Sequence, residues 1–147
     1  MSMQDEFPDL EYKNYQDEFL SDWWSRKKLF KGLRQSGKTT LILCEMNRFL
    51  NRGMDVLVLA PRQRQAMELK RQYESQFGEV PDCDISSFAS KLLGHKYDVV
   101  LVDEAQEMKI ETFDDIQSLR PMFIRLSAQQ NEVRDEVESF CDSVYRV

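Results

Sequence analysis

Two stretches of this chain carry unbroken runs of apolar side chains between polar flanks, residues 55–61 (DVLVLAP) and 97–102 (YDVVLV). Successive strand side chains point to opposite faces, so a continuous apolar run marks a strand covered on both sides, as in the centre of a parallel sheet. Segments 29–33 and 122–127 (MFIRLS) read as further strands, with short candidates at 83–86 and 144–147. Between them the periodicity changes to that of helices. Residues 39–52 place Leu41, Cys44, Met46, Phe49 and Leu50 at helical spacing, with Gly53 where a helix cap belongs. Residues 62–77 predict a long polar helix closed by Gly78, and 87–93, 111–119 and 131–140 predict shorter ones. Strands alternating with helices predict an α/β fold: a three-layer sandwich whose central, mostly parallel sheet is covered by helices on both faces.

The first 28 residues are patterned differently. They are acidic, and Tyr12, Tyr15, Phe19 and Trp23 recur every three to four residues, with Trp24 beside them. This predicts an amphipathic helical extension (1–28) packed against a core domain (29–147). A length of 147 residues suits one core of this kind, and no repeat or Gly/Ser linker divides it.

Composition narrows the function classes. With 41% hydrophobic and 31% charged residues, the chain is neither disordered nor fibrous. No apolar run approaches the roughly 20 residues that cross a bilayer, and the amino terminus is acidic where a secretion signal is basic. A cytoplasmic protein without a membrane partner is expected, in the host cytoplasm if the chain is viral. Cys44, Cys83 and Cys141 form no CxxC pair, so neither a disulfide framework nor a zinc knuckle can be drawn. His95, the single histidine, has no companion for catalysis or metal binding and reads as structural. The net charge of −6 argues against a broad grip on nucleic acid, so any such contact must be local or supplied by a partner.

The candidate chemistry lies where the first strand meets the first helix. Residues 32–39 (GLRQSGKT) match G-x-x-x-x-G-K-[ST] in a strand-loop-helix setting. A chain of this length meets the pattern by chance roughly once in two hundred times, before that setting is required. Glycine lets the backbone curl so that successive N–H groups face phosphate, and the helix that follows adds its positive end. Gly32, Leu33, Gln35, Ser36, Gly37, Lys38, Thr39 and Thr40 are therefore expected to bind nucleotide. Lys38 would meet the β- and γ-phosphates, and the Thr39 hydroxyl would ligate Mg²⁺. Such a site also needs a carboxylate for the metal and a base or positioner for the attacking water, at the end of an adjacent strand. Asp103 and Glu104, which close the second apolar run, supply the two. ATP and Mg²⁺ are the expected ligands.

These motifs together resemble the RecA-like ATPase core, of the additional-strand, catalytic-glutamate class, shared by superfamily 1 and 2 helicases and phage large terminases. The resemblance runs from about residue 16 to the end. Residues 56–66 (VLVLAPRQRQA) resemble the helicase segment whose strand ends on nucleic acid, 85–90 (ISSFAS) the short motif that follows, and 102–106 (VDEAQ) the superfamily 1 acid motif. Residues 126–131 (LSAQQN) resemble the segment coupling nucleotide state to movement. An arginine inside the loop is closer to the terminase form. That likeness implies that Arg34 acts in cis on the γ-phosphate, that Gln106 and Gln129 sense the γ-phosphate, and that Gln16 meets the adenine edge. It implies a local DNA contact at Arg62 and Arg64, with helicase-like translocation or viral DNA packaging as the activity.

Helicases and terminases of this kind are longer, carrying a second RecA-like domain or a nuclease domain. The chain is then expected to be one excised domain, or a one-domain relative completed by a homo-oligomer, a partner protein or another domain. Two other classes fit parts of the pattern. A thymidine-kinase-like enzyme pairs a similar loop with a similar acid motif, but it adds a zinc-binding cysteine cluster that is missing here. A nucleotide-gated binding module would bind ATP with little turnover.

Overall fold

A computed structural model describes residues 19–20, 25–32, 37–90, 95–129 and 132–146. Among them are strands β1 (Lys27–Gly32), β2 (Val56–Ala60), β3 (Asp84–Ser87), β4 (Val99–Val102), β5 (Phe123–Gln129) and β6 (Ser143–Arg146). The helices are α1 (Lys38–Asn51), α2 (Gln63–Phe77), α3 (Ile110–Ser118) and α4 (Asp135–Phe140), with a 3-10 turn at Ala105–Glu107. The strands form one six-stranded sheet in the order β3-β2-β4-β5-β1-β6. Every pairing is parallel, so the sheet expected to be mostly parallel is wholly so.

Strand alternation sorts the core onto the two faces. Val56, Val58, Ala60, Val99 and Leu101 meet Ile42, Leu43, Met46 and Phe49 of α1 and Ala66, Leu69 and Tyr73 of α2. Leu57, Leu59, Val100, Val102, Leu126 and Ala128 meet Phe113 and Ile116 of α3 and Val137 of α4. Each side chain of this size moved out of water contributes roughly 1.5–3 kcal/mol, and burial on both faces explains why β2 and β4 lack polar positions.

Most predicted elements differ from the observed ones by one to four residues at their ends. β5 extends past the apolar run, because Ala128 and Gln129 pair in register with Lys31 and Gly32. α4 begins at Asp135, later than the 131–140 pattern suggests. The predicted helix at 87–93 is corrected: Ser87 ends β3 and residues 88–90 form a turn, while 91–94 lie outside the described residues.

The order of strands also corrects one expectation. The acid-bearing strand β4 is not next to β1; β5 lies between them, as the additional-strand class implies. Two strand spacings, about 10 Å, thus separate the ends of β1 and β4, which leaves room for a ligand between the loop and the carboxylates.

Of the amino-terminal extension, Tyr12, Tyr15, Trp23 and Trp24 lie outside the described residues, whereas Phe19 and Leu20 are helical and fully buried. They pack with Phe30 of β1 and Leu41 and Cys44 of α1. Their carbonyls accept hydrogen bonds from buried cations, Phe19 O from Lys28 Nζ at 2.5 Å and Leu20 O from Arg48 Nη1 at 2.5 Å. Beneath them Glu45 Oε1 lies 3.1 Å from Lys28 Nζ and 3.6 Å from Arg125 Nε, with all three side chains fully buried. Arg125 Nη1 also donates to Ser25 O at 2.6 Å. These charges join α1, β1 and β5 to the chain that precedes β1.

Candidate functional site

Gly37 has φ 86° and ψ 20°, a left-handed conformation that glycine adopts without steric cost. Its carbonyl accepts the first helical bond, from Leu41 N at 3.1 Å. Among the described residues no side chain caps α1, and no acid stands in its first turn, an arrangement that suits an anion at the positive end of the helix. Lys38, nearly buried, donates from Nζ to Gly32 O at 3.3 Å, which ties the amine to the end of β1.

At the end of β4, Asp103 is 7% exposed and its N–H donates to Leu59 O of β2 at 2.9 Å. Its Oδ1 accepts from Ser127 Oγ of β5 at 2.8 Å. Burial pushes the Asp103 carboxyl above its ordinary range; the Ser127 hydrogen bond opposes this, Glu104 adds to it, and Lys38 opposes it more weakly. A carboxylate destabilised mainly by lost hydration gains most from a nearby cation. Glu104 follows with φ 54° and ψ 50°, a left-handed backbone that costs a non-glycine residue about 1 kcal/mol or more. Glu107 N donates to Glu104 O at 3.1 Å and helps to fix that turn.

Gly37, Lys38, Thr39, Thr40, Glu104, Gln106 and Gln129 all line one cavity of about 810 Å³. The topology accounts for this convergence, since parallel strands release their loops at the same edge of the sheet. Gln65, Glu107 and Glu132 complete the lining, and sequence reasoning had assigned none of them, nor Ser127, a place in the site. Gln65 and Ser127 fall within two of the four motor-like segments, 56–66 and 126–131, where the resemblance was the available signal; nothing in the pattern marks Glu107 or Glu132.

Other candidates stand apart. Gln16, Leu33, Arg34, Gln35 and Ser36 lie outside the described residues. Arg62 and Arg64 are exposed at the start of α2 and do not line the cavity; Arg62 Nη2 lies 3.4 Å from Glu107 Oε1. His95 is exposed, stacks on Tyr97 at 5.9 Å between ring centroids and does not line this cavity. Cys44, Cys83 and Cys141 are free thiols, and among the described residues no helix is long and apolar enough to cross a membrane.

Mg²⁺ fits the donor set. Thr39 and Asp103 offer hard oxygen atoms, and this ion is commonly held by one or two protein ligands together with substrate phosphates. The wall of the cavity carries Glu104, Glu107 and Glu132 against Lys38, so a polyphosphate would need a cation to settle there.

No family model matches the sequence, and no curated protein matches it. Solved structures do match the fold. The UvsW helicase of bacteriophage T4 superposes with a TM-score of 0.76 at 9% identity, over 94% of this chain and 61% of that one. The large terminase ATPase domain of Thermus phage P74-26 gives 0.69 at 15% identity, over 86% and 68%. A hypothetical ATP-dependent RNA helicase from Sulfolobus tokodaii gives 0.67 at 16% identity, over 97% and 55%. The chain therefore has the RecA-like fold of helicase and terminase ATPase domains, and it spans about three fifths of the T4 helicase structure.

Proposed function

We propose that this chain is the ATPase core of a DNA motor, binding ATP with Mg²⁺ and hydrolysing it in the cavity at the end of β1, β4 and β5. The observation that carries this reading is the meeting of Gly37, Lys38 and Thr39 with Glu104 in one cavity, with Asp103 beside Glu104 at the end of β4. Lys38 meets the β- and γ-phosphates, and the loop residues 32–40 wrap them with backbone N–H groups. Glu104 orients the attacking water and accepts its proton as the water oxygen bonds to the γ-phosphorus and the bond from that phosphorus to the β–γ bridging oxygen breaks, releasing ADP and phosphate. Thr39 and Asp103 hold Mg²⁺, which when bound neutralises charge across the β- and γ-phosphates.

Arg34 stabilises charge on the γ-phosphate from within the loop, and Gln16 meets the base. The chain ahead of β1 acts as an extension, held to the core through Phe19 and Leu20. The exposed pair Arg62 and Arg64 touches the DNA backbone locally, on the same edge of the sheet as the cavity. A second domain, a partner or another copy of the chain completes the motor. Both helicase-like translocation and terminase-like packaging need this core.

The test is Mg²⁺-dependent ATPase activity measured alone, with single-stranded DNA, with duplex DNA and with RNA. Stimulation by DNA supports the motor. Tight ATP binding with no turnover under every condition would make the chain a nucleotide-gated binding module, and stimulation by RNA alone would overturn the choice of polymer. Arg34→Ala should leave affinity near wild type and lower turnover by about 10³. Arg34→Lys should rescue poorly, because it lacks the planar fork.

A further inference from the structure

Gln106 stands on the 3-10 turn after β4, between Ala105 and the exposed Glu107. Ala105 and Met108 are buried at 3% and 2% exposure, so the turn is anchored on both sides of the glutamine. Both ends of its carboxamide are engaged. Nε2 donates to Glu104 Oε2 in a short contact, and Oε1 accepts from the backbone N–H of Gln129 at 2.9 Å.

The chemistry of the two partners fixes the orientation of the amide. A carboxylate accepts only and a backbone N–H donates only, so rotating the amide by half a turn would set oxygen against oxygen and N–H against N–H. Gln129 is the last residue of β5 and pairs in register with Gly32, the first residue of the phosphate loop. A continuous path thus runs from the loop entrance, through Gln129 and the Gln106 amide, to the Glu104 carboxylate.

We infer that Gln106 is a positioning residue, holding the Glu104 carboxylate against the end of β5 so that its place follows the phosphate loop. The inference rests on Glu104 being the group that orients the attacking water. Gln106 then acts on the γ-phosphate through Glu104 rather than by touching it. The strained backbone at Glu104 makes such a tether necessary: without it the side chain can leave the cavity as the turn relaxes.

Gln106→Ala, Glu104→Gln and the double variant test this, with Mg²⁺-ATP turnover and with ATP and ADP affinities as readouts. Gln106→Ala should lower kcat by about 10- to 100-fold, the scale of an ångström of misplacement. KM for ATP and the ratio of ATP to ADP affinity should stay within about twofold of wild type. In the Glu104→Gln background the same change should add less than about twofold, because the group it acts through is already disabled. Gln106→Glu keeps the size and the reach to Gln129 but sets like charges side by side, so it should be no better than alanine.

A lost preference for ATP over ADP would overturn the inference in favour of direct contact with the γ-phosphate. A full additional loss in the Glu104→Gln background, or wild-type turnover in Gln106→Ala, would also overturn it. If Glu104→Gln itself turns over normally, the failure lies in the role of Glu104, and the two failures are told apart.

Discussion

Two groups of charged side chains sit along α1 and differ in what completes them. Lys38 opens the helix at the cavity; Glu45, seven residues and about 10 Å further on, lies between Lys28 and Arg125 with no exposure. In the second group the protein meets its own charges: Glu45 Oε1 lies against Lys28 and Arg125, which also donate to the carbonyls of Phe19 and Ser25, while among the described residues Glu45 Oε2 finds no hydrogen bond. In the first, Lys38, Glu104 and the positive end of α1 line an open space that a ligand can enter. Burial is strong in both. What separates a site from a strut is whether the charges border an open cavity or are sealed inside the core.

Exchanging one charge in each group should break this contrast most severely. Lys38→Ala removes the cation meant for phosphate but leaves the fold intact, so ATP binding should fall below detection in a nucleotide titration while the melting temperature holds. Glu45→Ala should do the reverse. It leaves Lys28 and Arg125 facing each other without a counter-ion, a defect that costs about 3–5 kcal/mol when one partner of a buried pair is removed. Denaturant unfolding should show that loss in the midpoint. If Glu45→Ala is as stable as wild type, the cluster is not what ties α1 to β1 and β5.

The same contrast explains which parts of the molecule were legible in the sequence. The runs at 56–60 and 99–102 could be placed because burial on both faces leaves no polar position to confuse the reading. The motif at 32–39 and the pair Asp103–Glu104 could be marked as candidates because the proposed chemistry demands fixed types at fixed spacing. Glu45 could not, since an acid within an amphipathic helix reads as solvated until a lysine and an arginine from two distant strands are brought beneath it. Lys28 looked like the polar edge before β1 for the same reason, yet it is fully buried inside that strand. The insertion of β5 between β1 and β4 is likewise a pairing between distant segments, and no local pattern encodes it; only the resemblance to a known class pointed there. Glu107 and Glu132 reach the cavity by tertiary placement alone.

Within the site, Glu104→Gln sharpens the division between binding and chemistry. The amide keeps nearly the same shape but gives up the charge and basicity that the attacking water requires, so turnover should fall by at least about 100-fold. ATP affinity should remain close to wild type, since Lys38 and the end of α1 are unchanged. The measurement is single-turnover hydrolysis beside equilibrium nucleotide binding. If Asp103→Asn abolishes hydrolysis while Glu104→Gln does not, the two carboxylates have been given each other's roles.

The smallest effect is expected at the rim, where Arg62 and Glu107 lie 3.4 Å apart with side chains 69% and 37% exposed. In water such a pair gains little, because solvent screens the attraction and both side chains lose freedom; Arg62→Ala should change stability by less than about 1 kcal/mol. It is the counterpart of Glu45→Ala, an ion pair broken at the surface rather than in the core, and the two measured together calibrate how much burial adds. The variant becomes informative when DNA is present. A phosphate contact releases counter-ions, so removing one arginine should weaken DNA stimulation of the ATPase uniformly across sequences and flatten its dependence on salt by about one ion. Unaltered stimulation and an unaltered salt slope in the double variant Arg62→Ala, Arg64→Ala would leave both arginines as plain solvated residues and move the polymer to another face of the protein.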